Sequence, residues 1–140
     1  MNHLAQSIGL THTYFLNVNG LDLSDTQSGA YGSAEDFAEL FAYAASTSPE
    51  SFSGTTRDGL LLTDEDGNTT SAFNTNEALG AIPGLIMGKT GYTDLAGGNL
   101  AVVFDVGLAH PVVAVVLGST HDGRFVDMKR LVTAARAAVV

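Results

Sequence analysis

Three apolar runs stand close together in the second half of the chain: Leu85–Tyr92, Asn99–Val106 and Val112–Leu117. The links between them are short and carry Gly97-Gly98 and His110-Pro111. Strands joined this way pair antiparallel, because parallel neighbours need a crossover of about a dozen residues or more. Downstream, Phe125, Met128, Leu131, Val132 and Ala135 recur at helical spacing and form a face suited to lie across a sheet. The expected class is therefore α+β, an antiparallel sheet with packed helices. The 140 residues, 45% of them apolar, are expected to form a single domain with a real core.

The first half supplies lesser elements. Met1–Ile8 reads as a short helix with Leu4 and Ile8 four apart and Gly9 to end it. Leu10–Gly32 is a long polar and aromatic connection with Asn19-Gly20 as its turn signal. Ser33, with Asp36 three residues on, opens a second helix that should bury Phe37, Leu40, Phe41 and Ala44 before Ser46–Pro49 ends it. Gly59–Thr63 and Thr69–Phe73 form a hairpin around the acidic turn at Asp66-Gly67. Asn76–Leu79 adds one helical turn ahead of Pro83-Gly84.

Charge and composition remove several classes of function. Asp and Glu number 15 against 6 Lys and Arg, which argues against nucleic acid, whose binding rests on basic side chains. Up to Thr70 the only base is Arg57. No cysteine is present, so disulfides and thiolate metal sites are excluded. No run of about 18 apolar residues spans a membrane, and no basic-then-apolar leader opens the chain. The four histidines (His3, His12, His110 and His121) lack helical ligand spacing and read as surface or capping residues. Asp64–Asn68 is a solvated turn; its glycine and its missing closing glutamate do not fit a calcium loop. Asn68-Thr69-Thr70 fits a glycosylation acceptor only formally. No metal and no cofactor is expected.

Gly84–Phe104, GLIMGKTGYTDLAGGNLAVVF, is the stretch that most resembles chemistry. Gly88-Lys89-Thr90 invites a phosphate loop, but that loop needs a glycine where Pro83 stands, and proline has no N–H to offer. The following glycines are also poor material for the helix that such a loop opens. A strand at the rim of an acyl-transfer site fits better. An extended peptide binds such a strand through the main chain. Lys89 then sets positive charge beside a substrate carboxylate, the Thr90 hydroxyl can donate to that carboxylate, and Gly91 permits close approach. Asp94 and Asp105 read as a turn residue and a strand-end acid.

The order of these blocks resembles the C-terminal part of the catalytic domain of serine-type D-alanyl-D-alanine carboxypeptidases, the low-molecular-mass penicillin-binding proteins. MNHLAQSIGLTHTYFLNVNGLD is similar to the family's Met-Asn helix and its Thr-x-Phe-x-Asn-x-x-Gly-Leu segment, and YGSAEDFAELFAYA to the helix after it. IPGLIMGKTGYTDLAGGNLAVVF resembles the Gly-x-Lys-Thr-Gly-Tyr-Thr strand and its return strand. VVAVVLGSTHDGRFVDMKRLV resembles the last strand, an arginine and the closing helix. The resemblance implies a β-lactamase/transpeptidase-like fold and a substrate site at Lys89, Thr90, Gly91 and Arg124. It gives the Tyr92 backbone N–H one arm of an oxyanion hole, a donor worth about 10²–10³ in rate. Arg124 would hold the terminal carboxylate through its bidentate fork. The implied partners are cell-wall pentapeptides ending in D-Ala-D-Ala and, for a complete enzyme, β-lactam antibiotics. The implied place is outside the cytoplasmic membrane, with any anchor outside this chain.

Of the three motifs of penicillin-recognising enzymes, only Lys-Thr-Gly is present. The residues three before Lys89 and Lys129 are Ile86 and Val126, so there is no Ser-x-x-Lys, and no asparagine has a serine two positions before it. The expectation is a partial domain, residues 1–140, lacking the nucleophile segment and inactive alone. The alternatives are a non-catalytic module that binds peptide carboxylates, or a remnant that needs a separate N-terminal half. Strands meant for a missing half would leave open edges, an association hazard. The isolated chain is thus expected to form oligomers or to be poorly soluble; a sharp monomer peak in gel filtration with cooperative unfolding would overturn this.

Overall fold

The computed structural model describes residues 1–107 and 109–139. Its centre is a three-stranded antiparallel sheet in the order β5-β6-β7, with β5 Leu85–Thr93, β6 Gly97–Asp105 and β7 Pro111–Ser119. All three strands run where the apolar pattern put them, each slightly longer. Earlier in the chain lie α1 Asn2–Ser7, β1 Tyr14–Phe15, β2 Ala30–Tyr31, α2 Ala34–Thr47, and the hairpin of β3 Gly59–Thr63 and β4 Thr69–Phe73. The chain closes with α3 Gly123–Ala138.

β6 is buried on both faces. Leu100, Val102 and Phe104 join Phe125, Met128 and Val132 of α3 in one core cluster. Ala101 and Val103 join Met87 and Phe41 in a second cluster on the α2 side. Alternation along one strand thus feeds two apolar layers, and the sheet lies between helices. A bulge shapes β5: Leu85 pairs with Phe104 and Met87 with Val103, leaving Ile86 unmatched. That extra residue moves Leu85 and Met87 to opposite faces, since one residue of slip flips every later side chain. It also sets the phase in which Lys89 pairs with Ala101 and Thr90 with Leu100.

Local chemistry fixes the rest. Ser33 caps α2 by accepting the Asp36 N–H at 3.1 Å. The Asp36 carboxylate turns back to accept the His12 N–H at 2.7 Å and the Thr13 hydroxyl at 2.8 Å. Asn2 grips Phe15 at both main-chain polar groups, donating to its carbonyl at 2.8 Å and accepting its N–H at 2.7 Å. The Asp64 carboxylate accepts the N–H groups of Asp66 and Asn68, so the acidic turn is held by its own side chain.

Several expectations need correction. The 10–32 connection contains the short β1–β2 pair, in which Tyr14 faces Tyr31 and Phe15 faces Ala30. In α1 the exposed Leu4 does not anchor the helix; Ala5 and the following Leu10 are the buried residues. Leu131 is 41% exposed, because α3 turns the Phe125–Met128–Val132 edge to the sheet. The helical turn expected at Asn76–Leu79 is a 3-10 turn at Leu79–Ala81, since Asn74 and Asn76 use their side chains to bond nearby backbone N–H groups instead. A 3-10 segment at Pro49–Thr56 was without any sequence signal.

Burial raises the pKa of Asp36, but the Thr13 hydroxyl, the His12 N–H, the His12 charge and the Ser33 hydroxyl together bring it below the ordinary value. A carboxyl with a lowered native pKa stabilises fully above its unfolded value of about 3.9, and that contribution disappears as pH falls through the native pKa. Asp36→Asn should therefore lower the urea midpoint at neutral pH, and the gap to the unsubstituted chain should narrow on acidification. A gap that stays constant down to acid unfolding would overturn the assignment.

Candidate functional site

β5 is an edge strand, and the side it does not share with β6 is where the sequence-predicted residues meet. The Gly88 N–H donates to the Thr55 hydroxyl at 3.1 Å, away from β6. Alternate residues of a strand direct their main-chain groups to the same side, so the N–H groups of Thr90 and Tyr92 share that edge. Beside it lies a cleft of about 800 Å³ whose walls include Lys89, Thr90, Gly91, Tyr92 and Arg124. All five residues singled out in the sequence therefore converge on one space. The opposite wall is the 15–32 segment, including Phe15, Leu21 and Tyr31.

Each residue is held in a definable way. Lys89 is exposed, and its Nζ donates to the Thr90 carbonyl. The Thr90 hydroxyl lies 2.6 Å from the Thr75 hydroxyl. A Cβ on Gly91 would touch only the Asn99 Cβ at 3.8 Å, so no neighbour in the chain demands glycine there, and the space saved belongs to the cleft. The Tyr92 ring meets His121 edge to face, centroids 4.9 Å apart at 75°.

Arg124 is 4% exposed, unlike an arginine that merely opens a helix. One Nη donates to the Gly91 carbonyl at 2.7 Å, and the other lies 3.5 Å from His121 Nε2. Its guanidinium carbon sits 4.7 Å from the Phe125 ring centroid and 5.9 Å from that of Tyr92, within cation–π range. It therefore pins the main chain between Thr90 and Tyr92 while putting positive charge beneath the cleft.

Asp22, Thr75, Asn99 and His121 were not singled out in the sequence as members of this site. Asp22 accepts the Thr93 hydroxyl at 3.0 Å, the Leu95 N–H at 3.3 Å and the Ser28 hydroxyl at 3.3 Å, which ties the far wall to the end of β5. Asn99 donates to the Gly97 carbonyl at 2.8 Å and accepts the Gly118 N–H at 2.9 Å, securing the bulge of β7 where Gly118 has φ +66°. The available signals were the Asn-Gly-Leu-Asp run for Asp22 and the three-residue offset from Arg124 for His121. Among the described residues, no group of three His, Asp or Glu side chains is placed to hold a metal ion.

Comparison with known proteins extends the picture. The model of the D-alanyl-D-alanine carboxypeptidase family matches residues 1–121, a span that stops just short of Arg124. The chain is 31% identical over 134 residues to the D-alanyl-D-alanine carboxypeptidase DacA of Escherichia coli K12. That alignment covers 95% of this chain and 31% of the relative, so the chain spans about a third of the length of the curated relatives it matches. Penicillin-binding protein D2 of Listeria monocytogenes, in its ampicillin-bound form, superposes with a TM-score of 0.78 at 30% identity, covering 93% of this chain and 51% of that one. The carboxypeptidase DacD of Francisella tularensis shares the fold, with a TM-score of 0.79 at 22% identity over 94% of this chain and 42% of that one. The α+β assignment and its likeness to penicillin-binding proteins thus hold.

The bond from Arg124 to Gly91 predicts a separable structural effect. Arg124→Met should cost about 2 kcal/mol, the scale of a hydrogen bond to a charged group, and should shift the amide resonances of Gly91 and Tyr92. Unchanged resonances there would show that the guanidinium does not hold this strand.

Proposed function

The chain belongs to the D-alanyl-D-alanine carboxypeptidase family, and we propose that its cleft is the substrate rail of a serine acyl-enzyme site that removes the terminal D-alanine from cell-wall peptides. The observation that carries this reading is the convergence of Lys89, Thr90, Gly91, Tyr92 and Arg124 on one cleft beside an unpaired strand edge. A peptide laid antiparallel along that edge finds main-chain groups already aligned. Its terminal carboxylate meets the Thr90 hydroxyl and the Lys89 ammonium, with Arg124 adding charge from below. The scissile carbonyl oxygen then lies near the Tyr92 N–H, a donor placed where negative charge develops in the tetrahedral intermediate.

The nucleophile is not among these 140 residues, which hold no Ser-x-x-Lys. We therefore assign them the role of a partial domain that binds and orients substrate, with acylation dependent on a serine and base supplied by another segment. The 140 residues alone are expected to be inactive. The Listeria relatives are described with ampicillin and cefotaxime bound; for this chain β-lactams are proposed as ligands of the completed site only. The same reading puts the working site outside the cytoplasmic membrane, where cell-wall peptides are. The absence of a nucleophile also favours a second reading, a non-catalytic module that keeps the rail for peptide carboxylates.

Two measurements test this. An N-acetylated peptide ending in D-Ala-D-Ala should bind more tightly than its C-terminal amide, and Lys89→Ala should remove about tenfold of the affinity for the acid, one charge-assisted contact. Equal binding of acid and amide would overturn the rail. Fluorescent penicillin should leave the 140 residues unlabelled; covalent labelling would show that a nucleophile is present after all.

A further inference from the structure

Thr75 is exposed, yet its position is closely fixed. On one side, Asn74 donates its side-chain amide to the carbonyls of Thr55 and Arg57, both at 2.9 Å, and its N–H to the Asp58 carbonyl at 2.8 Å. On the other, the buried Asn76 donates its N–H to Asn74 Oδ1 at 2.9 Å and accepts the Ala78 N–H at 3.1 Å. The turn leaving β4 is therefore pinned at both flanks of Thr75. What it presents to the cleft is one hydroxyl, 2.6 Å from that of Thr90.

Proton accounting gives this contact a direction. Two hydroxyls hold two protons, and the contact between them uses one. A carboxylate accepts and never donates, so when it sits on Thr90 the Thr90 proton must point to it. The contact is then made by the Thr75 proton, with Thr75 donating to Thr90 and Thr90 donating to the carboxylate. A hydroxyl that accepts a bond becomes a better donor, since chains of hydrogen bonds polarise one another. With Thr75 removed, the Thr90 hydroxyl is free to rotate and to seek water or a carbonyl.

We infer that Thr75 is a positioning residue that orients the Thr90 hydroxyl as a donor to the substrate's terminal carboxylate. This rests on the reading of the cleft as a carboxylate site. Thr75→Val keeps the branched shape and deletes the hydroxyl, while Thr75→Ser keeps the hydroxyl. The probes are the acetylated D-Ala-D-Ala peptide and its C-terminal amide, titrated by calorimetry against the same chain. Thr75→Val should weaken binding of the acid about fivefold, the scale of one ordinary hydrogen bond, and leave the amide unchanged. Thr75→Ser should restore the acid.

The outcomes separate cleanly. Equal losses for acid and amide would mean that Thr75 only shapes the turn, and no loss would mean that Thr90 needs no help; either overturns the inference while the rail stands. If the unsubstituted chain does not distinguish acid from amide, the carboxylate site falls and this inference falls with it.

Discussion

With Leu100, Val102 and Phe104 turned toward α3, and Ala101 and Val103 toward α2, β6 has no solvent face. Every neighbour must therefore supply either a ladder or a cover. β5 and β7 supply the ladders, and the two helices cover the faces. A strand buried on both sides also cannot slip, because a shift of one residue would exchange the two apolar sets for each other's environments. The register of the sheet is thus anchored at β6, and the bulge at Ile86 transmits that register to β5 with a single change of phase. The placement of Lys89 and Thr90 follows from packing several residues away.

An edge strand is a hazard, since its free N–H and C=O groups invite pairing with another chain. Here the edge of β5 is managed in segments. At Gly88 the free N–H is taken by the Thr55 hydroxyl, and at Thr90 the carbonyl accepts the Lys89 ammonium. Beyond these points the Tyr92 N–H is left facing the cleft. On the reading proposed above, the same groups that would otherwise recruit an unwanted strand are the ones an extended peptide would use. A binding rail and a protected edge are two states of one geometry, distinguished by how many main-chain groups the protein itself occupies.

Legibility in the sequence followed the physics of each element. The three strands of the sheet were visible because a half- or fully buried strand forces apolar residues into short runs between turn formers. The 59–73 hairpin is almost wholly exposed and was visible instead through its Leu- and Thr-rich runs on either side of the Asp66-Gly67 turn. Lys89 through Tyr92 were visible as a motif. Thr75 and Asp22 were not, because their roles depend on contacts to residues 15 and 71 positions away, which leave no local period. Leu131 misled for a related reason: helical spacing marks a wide stripe, and only the packed sheet decides which edge of it is covered. The 3-10 segment at Pro49–Thr56 is exposed along most of its length and so left no apolar signature at all.

The charge pattern bears on how the proposed anionic ligand would reach a chain of formal charge −9. At long range the protein repels it, but beyond about 8 Å that field is largely screened at physiological salt. Within the cleft the balance reverses. Asp22, the acid on the far wall, already accepts three protein donors, so its lone pairs are directed toward Thr93, Leu95 and Ser28. Lys89 and Arg124 remain as the cations, and neither forms an ion pair within 4.0 Å with an acid among the described residues. Arg124 is also poor at finding water, being buried and stacked near two rings. Their positive charge is therefore left available to a ligand. An unfavourable global charge is compatible with a carboxylate site when cations outnumber acids within it, as Lys89 and Arg124 outnumber Asp22, since short-range contacts outweigh a screened surface field.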